Sequence, residues 1–549
     1  MSEPQLSDQY LYQSSLTSDP EIKVSSGKRV PFVIDLNQGS YQNGVITIDA
    51  TAQLNGSEGF APLRDAYIML PYKVTMKNDT TAQTTAANRF CATLKCGNWD
   101  VIDSMSLELN GKTIVSMADY KLFWNNIRAQ TGYSSQYVEK HGAESFLYPD
   151  AAQSVLYSSA VTSTTGDGYS NTTAFSPSFA ATGPSGGASI ASDGLVKRLL
   201  SNPPSAGSDF SASWPSLGAA AASTTIANQT ARVAFVAGAA TANAIIGTWN
   251  YMLKIKLDDL HPILKELDLM ANPQIRLCFR VDQGVSAVAV DAGKGMKLTS
   301  TTLASGNTCP VMVAASSTCN PMASVLAASA RFSIAWGAVV DSLDLTIDGT
   351  EPPGNCLKHV KKVRFNDCYA QWFYERAGTG KQSTQLNAAF DLQLSASVKN
   401  AKYVILLPFA EQTSSFNSAL AQEFQPWTLH PGSSIRNFNV RIGSTQCFDI
   451  SHDYDFHEFT NEVAKISAIN GDLTLELVNG LLDYQTWSPT NRVLFADVSR
   501  LTERDVPHAI QIQGVNAGCQ GVNMLVLVIC EQELNYGRLT GDILDFTIA

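Results

Sequence analysis

Tyr67-Ile68-Met69-Leu70-Pro71-Tyr72 and Val404-Ile405-Leu406-Leu407-Pro408-Phe409 decide how this chain is read. Each is an apolar run closed by Leu-Pro-aromatic. Proline lacks an N–H and so ends a β-ladder. The stretches downstream of the two runs also match. Ser106-Leu107-Glu108-Leu109-Asn110-Gly111-Lys112 leads to Asp119-Tyr120, and Tyr120, Phe123, Trp124 and Ile127 then recur at helical spacing. Phe438-Asn439-Val440-Arg441-Ile442-Gly443-Ser444 leads to Asp453-Tyr454, with Phe456, Phe459 and Val463 again at helical spacing. A strand, a glycine turn and a short aromatic helix occur twice in one order, the mark of an internal duplication. The apolar strands Ile275-Arg276-Leu277-Cys278-Phe279 and Leu525-Val526-Leu527-Val528-Ile529 read as the closing strands of the two halves. The interval from Leu70 to Ile275 exceeds that from Leu407 to Leu525 by nearly the length of 151–242. The first half therefore reads as the second with one long loop inserted.

Other signals point to β-structure throughout. Val45–Asp49 and Phe390–Leu394 alternate or are β-branched. Leu343–Ile347 alternates and ends in Asp348-Gly349. Asn-Gly pairs begin at 43, 55, 110, 470 and 479, and such pairs supply the positive φ angles of tight hairpins. A second amphipathic helix is expected over Leu260, Ile263, Leu264 and Leu267. Both helical stripes of the first half are read as packing surfaces, not ligand sites.

The 549 residues exceed what one core supports, so two sizeable domains are expected. Charged residues make up 16%, against about 25% in ordinary soluble domains. A net charge of −11 with scattered Lys and Arg argues against coating DNA or RNA, an affinity built on neutralised phosphates. The longest apolar run, Met524–Cys530, is far short of the roughly 20 residues that span a bilayer. The start Met1-Ser2-Glu3-Pro4 is polar and acidic, unlike a secretory signal. The ten cysteines contain no Cys-x-x-Cys pair and are too sparse for a disulfide scaffold, so reduced thiols and an intracellular assembly are expected. Cys278 and Cys530 sit in apolar strands. The glycosylation patterns at Asn55, Asn78, Asn171 and Asn228 are then coincidental.

Composition divides the chain into an arm (1–28), a first unit (29–283), a linker (284–330) and a second unit (331–549). The first unit carries the insertion 151–242, which is rich in Ala, Ser, Thr and Gly. It holds only six charges: Asp167, Asp193, Lys197, Arg198, Asp209 and Arg232. It reads as long loops, displayed at the surface or held against a neighbouring subunit, with intrinsic disorder as the alternative. Its Phe, Trp and Leu residues set it apart from a solvated tail.

Catalytic patterns fail on inspection. Gly183-Pro184-Ser185-Gly186-Gly187 matches a nucleophile elbow but lies in a Gly/Ser/Ala-rich stretch with no strand-to-helix context. Gly378-Thr379-Gly380-Lys381 has Glu375 and Gln382 where a phosphate loop needs Gly and Ser or Thr, so a hairpin loop is the better reading. His452 and His457 are spaced by five and do not share a helical face. The other histidines are scattered. No catalytic, cofactor-binding or metal-binding residue is assigned, and no enzyme is expected.

The order of elements resembles the double jelly-roll major capsid proteins of polinton-like viruses, adintoviruses and virophages. More distantly it is similar to those of adenoviruses, tectiviruses and the large icosahedral DNA viruses. Three stretches carry the resemblance. They are Leu107–Ile114 with the aromatic helix after it, Lys254–Leu264 leading to Ile275-Arg276-Leu277, and the polar arm before Val30–Ile34. The likeness covers most of the chain as an order of elements, and no single motif in it is diagnostic. The resemblance implies an all-β fold of two tandem eight-stranded jelly rolls. It further implies a homotrimer with a pseudo-hexameric footprint, trimer–trimer contacts in an icosahedral shell, loops rising as towers, and a place in the virion beside minor capsid and penton proteins. A β-sandwich glycan-binding or attachment protein is the alternative; a two-domain β-rich hydrolase stands behind it.

Overall fold

The computed structural model describes most of 29–149, 245–281 and 360–547, and short strands between 284 and 339. The arm 1–28 lies outside the described residues. So do 150–244 apart from Arg198 and Val236–Ala237, the stretch 340–359, and several other connections, including Leu343–Gly349, Gly378–Lys381 and His452.

Eight strands build the first sandwich: β1 (Arg29–Leu36), β2 (Val45–Asp49), β3 (Tyr67–Lys77), β4 (Ile102–Leu109), β5 (Lys112–Met117), β6 (Ile245–Lys256), β7 (Ile275–Val281) and β8 (Phe332–Val339). Their antiparallel ladders run β1-β8-β3-β6 in one sheet and β2-β7-β4-β5 in the other. The second sandwich has β9 (Val360–Phe373), β10 (Ala389–Gln393), β11 (Ala401–Ala410), β12 (Ile435–Ile442), β13 (Thr445–Gln446), β14 (Leu494–Asp497), β15 (Ile510–Asn516) and β16 (Val522–Gly537). Its sheets run β9-β16-β11-β14 and β10-β15-β12-β13, the first order with every label raised by eight. This is the jelly-roll order, and it occurs twice. A last strand, β17 (Ile543–Thr547), pairs with β16 over Glu533–Tyr536, beyond the reach of β11.

The ladders correct several sequence expectations. Neither Pro71 nor Pro408 ends its ladder: β3 stays paired with β6 to Lys77, and β11 with β16 to Ala410. Ile275–Val281 is the seventh strand, between β2 and β4, and its counterpart is Ile510–Asn516 rather than Leu525–Ile529. The strand that closes the first sandwich is Phe332–Val339, which pairs with β1 and β3 although composition assigns it to the second unit. The supposed linker also carries ladder strands: Met322–Leu326 pairs with Lys73–Lys77 and with Gly284–Ala287. Ala, Ser and Gly hide the period-2 pattern because their side chains scarcely differ in hydrophobicity, whereas backbone pairing requires no side chain.

Each sandwich buries the alternating apolar face of its strands. Ile68, Leu70, Tyr72 and Val74 of β3 face inward against Leu107 and Leu109 of β4 and Leu277 and Phe279 of β7, all at most 2% exposed. The two first sheets differ in their other face. On β3, Tyr67, Met69, Pro71 and Lys73 remain half-buried, whereas β11 from Ala401 to Pro408 is buried on both faces. A strand buried on both sides reads as an unbroken apolar run, as Val404–Leu407 does.

The helices lie in the connections. They are α1 (Phe123–Gly132), α2 (Ser135–His141), the single turns α3 (Leu257–Leu260) and α4 (Ile263–Glu266), and α5 (Phe456–Ile469). The stripe Leu260–Leu267, one helix by its spacing, splits at His261-Pro262, since proline lacks an amide N–H and disfavours helix in the residue before it. Tyr120, placed by its spacing within the first helix, precedes it in the left-handed region (φ 63°). The β4–β5 hairpin turns on Asn110 (φ 48°) and Gly111 (φ 76°), as its Asn-Gly pair predicts. Three short strands from three different connections of the first sandwich, Arg89–Leu94, Val311–Ala315 and Val236–Ala237, join in a separate small sheet. Antiparallel alternation brings these connections (β3–β4, β5–β6 and β7–β8) out at one end.

Candidate functional site at the seam between the sandwiches

The densest set of unusual polar side chains lies where the helices of the first sandwich meet the first sheet of the second. Tyr120 stacks on Trp372 of β9 with ring centroids 5.3 Å apart and planes 13° from parallel. A bulky residue in the left-handed region costs about 1–3 kcal/mol, which the stack helps to offset. α1 then presents Phe123, Trp124 and Ile127 to the core. Its polar side is occupied as well. Asn125 Nδ2 donates to Leu260 O (3.1 Å), and Trp99 Nε1 donates to Asn126 Oδ1 (2.7 Å). Arg128 donates to Asp258 O (2.9 Å) and lies over the Trp124 ring at 5.4 Å. Burial lowers the Arg128 pKa, against the opposing pull of Asp259 and Asp258.

His261 is the link between sandwiches. It is fully buried between Trp124 and Phe365, both edge-on at 6.0 and 5.8 Å. The Ile263 N–H donates to its Nδ1 (3.2 Å), so Nε2 carries the proton and donates to Asp367 Oδ1 (3.3 Å) on β9. Asp367 also accepts from the Cys368 N–H (2.8 Å) and from Gln532 Nε2 (2.7 Å) on β16. Burial holds the imidazole below its ordinary pKa, with Asp367 pulling the other way. Burial alone would raise Asp367; the hydrogen bond and charge of His261 outweigh it, and the carboxyl lies below its usual range.

Backbone contacts extend the seam. Gln130 donates through Nε2 to Asn491 Oδ1 (3.0 Å), and its carbonyl accepts from the Leu481 N–H (2.7 Å). Gly480, at φ 60°, leaves no room for a side chain: a Cβ there would sit 2.2 Å from Gln130 O. At the far end, Asn110 of the β4–β5 turn donates to Gly541 O, and Lys112 Nζ donates to Ile543 O (3.4 Å). Behind β9, Lys402 and Glu531 form an ion pair at 3.5 Å, both nearly inaccessible. Arg364 joins Glu531 and Glu533 at 3.9 and 3.5 Å. Beside α1, Tyr133 OH donates to Asp259 Oδ1 (2.7 Å), and burial, with Asp258 beside it, raises the Asp259 pKa to about 6.

The seam's polar groups meet across the join, which fixes register between the two sandwiches. Among the described residues no group of three or more His, Cys, Asp and Glu is arranged to hold a metal, and no helix is long and apolar enough to cross a membrane. His457 is exposed on α5, and the nucleophile-like and phosphate-loop-like stretches lie outside the described residues. Sequence reasoning passed over His261 and Asp367. Their partnership spans 106 positions and joins the break between two helical turns to the middle of a long strand, with no shared motif.

No family model matches the chain, and no curated protein sequence matches it. Solved structures do. A chain from the cryo-EM structure of the Sputnik virophage is similar at 12% identity and a TM-score of 0.48, over 97% of this chain and 93% of that one. The mavirus major capsid protein is similar at 11% identity and a TM-score of 0.41, over 100% and 96%. A chain of the PBCV-1 virus capsid is similar at 8% identity and a TM-score of 0.37, over 95% and 97%.

Proposed function

We propose that this chain is a major capsid protein, acting as a non-enzymatic building block of an icosahedral virion shell. The observation that carries the reading is the repeated strand order, β1–β8 and β9–β16, joined by a buried seam. Two like sandwiches locked side by side give one protomer two similar but unequal flanks. Three such protomers, closed by a threefold axis through heterologous contacts, make a nearly six-sided tile. The units of that tile are 29–339 and 360–547. The acidic net charge supports a shell role without direct nucleic-acid binding, and minor capsid and penton proteins are its further partners.

Light scattering coupled to size exclusion, with negative-stain microscopy, tests the reading. The expected result is a particle of three 59.1 kDa chains with a six-cornered outline. Monomers at every concentration and salt condition would refute it.

A further inference from the structure

Among the described strands β9 is an edge of its sheet, and the seam contacts fall on it: Trp372 carries the Tyr120 stack and Asp367 the His261 hydrogen bond. One patch of this sheet gathers polar groups from three strands. Asn366 of β9 stands directly opposite Glu531 of β16, so their side chains share a face. On the other side of β16 the β11 ladder slips between Ala401 and Tyr403, and Lys402 stands opposite no residue of β16. Such irregularities re-aim side chains. Here two consecutive residues reach the same patch. Lys402 Nζ lies 3.5 Å from Glu531 Oε2, and Asn366 Nδ2 donates to the Tyr403 hydroxyl (3.2 Å). Lys402 is 1% exposed and Glu531 5%. Lys402 Nζ, Glu531 Oε2 and Asn366 Oδ1 are all shut off from solvent, and none takes part in a hydrogen bond. A buried ammonium without hydrogen bonds is a costly arrangement. An amine, a carboxyl and a carboxamide thus meet with their reactive atoms unspent.

We propose that Lys402 and Asn366 form an intramolecular isopeptide bond, with Glu531 as the acid–base group between them. The inference goes beyond the capsid reading and stands or falls apart from it. Glu531 takes a proton from the Lys402 ammonium. The freed amine attacks Asn366 Cγ, forming the N–C bond, and protonated Glu531 returns its proton to the amide oxygen. The carboxylate then moves the surplus proton from Nζ to Nδ2. The Cγ–Nδ2 bond breaks, and ammonia departs with the hydroxyl proton as ammonium. Charge and atoms balance, and no oxidant or second reactant is needed. Arg364 lies 3.9 Å from the other carboxyl oxygen, Oε1, which leaves Oε2 to Lys402. Cys368 and Ile529, next along the same face, are buried and keep water from competing for Cγ. Holding nucleophile, acid and amide in one folded patch supplies the proximity that amide exchange needs. The bond would tie β9 to β11 across β16. Load from the seam would then pass into the middle of the sheet instead of peeling its edge.

Intact-mass spectrometry of the purified full-length chain, followed by tryptic mapping, tests this. Wild type should be lighter than its sequence by one ammonia, once processing of the first residue is allowed for. The tryptic peptide 365–376 should be found joined to 400–436. Lys402→Met and Glu531→Gln, with far-ultraviolet circular dichroism as the folding check, should both keep the ammonia and yield 365–376 unlinked. A wild type of full mass overturns the proposal. So does an ammonia loss that maps to an Asn-Gly pair such as Asn110-Gly111, where a succinimide forms with the same loss. A folded Glu531→Gln chain that links as completely as wild type overturns the role given to the carboxylate. The wild-type mass decides the bond even where a variant fails to fold, and neither result bears on the trimer expected of a capsid protein.

Discussion

Replacing Asp367 with alanine should open the seam. The carboxylate accepts three hydrogen bonds: from His261 Nε2, from the Cys368 N–H and from Gln532 Nε2. His261 is fully buried and Gln532 is 6% exposed, so neither displaced N–H can turn to water. A buried donor left without an acceptor costs about 1–3 kcal/mol. Two stranded side-chain donors and one weakened backbone bond therefore amount to about 3–5 kcal/mol. Asp367→Asn, which keeps an acceptor oxygen, should cost less than half of that. The double variant His261→Leu/Asp367→Leu should recover much of the loss, because it removes both polar partners together. The two sandwiches need not melt as one, so a global midpoint is the wrong measure. Native-state hydrogen exchange of the α1 and β9 amides reports seam opening directly. Acidification should act in the same direction. Native His261 resists protonation, so stability is complete above the unfolded histidine value, about 6.5, and falls as pH drops below it. The Asp367 contribution, from a depressed pKa, persists until pH falls through the native carboxyl value. An Asp367→Ala effect within about 0.5 kcal/mol on α1 and β9 exchange would show that these hydrogen bonds do not hold the seam.

Asp259 should oppose that trend. Its raised pKa makes native protonation favourable between about 4 and 6, so Asp259→Asn should gain roughly 2 kcal/mol over wild type at pH 7.5 and almost nothing at pH 4, measured by urea unfolding at both values. Gly480→Ala should loosen α1 from the β13–β14 connection, since its methyl would press on Gln130 O at a φ that disfavours side chains; faster proteolysis around 130 and 480 is the readout, and an unchanged cleavage pattern would contradict the fit. Cys368, Cys447 and Cys530 have thiol pKa values raised by burial, Cys447 to about 12. Mass-spectrometric mapping after brief alkylation at pH 8 should find all three unmodified in the native protein and modified in urea.

Much of the architecture was legible because it is written in strong signals. Asn110-Gly111 and the Phe456, Phe459, Val463 stripe arise from local chemistry, and both lie where the ladders and helices place them; Leu-Pro-aromatic marks two equivalent strands, though neither proline ends its ladder. The closing strand of the first sandwich was missed for the opposite reason. Phe332–Val339 mixes Ala, Ser and Gly with a few large residues, and its distant partners β1 and β3 reveal its place. The seam was illegible for a related cause. His261 looks like any histidine before proline, and Asp367 is one acid in a run of polar and aromatic residues. Their meaning arises from a contact between halves, which no window along one half contains.

The placement of β8 also governs the order in which the protein can be made. The first sandwich joins Arg29 to Val339, so a ribosome must release that whole span, insertion included, before its outer ladder can zip. The second joins Val360 to Gly537 and needs a far shorter stretch of chain. Closure entropy grows with the length of chain enclosed, and distant pairings form slowly. The half translated first is thus the slower to mature, and the half translated last, once free, offers it a finished wall to lean on.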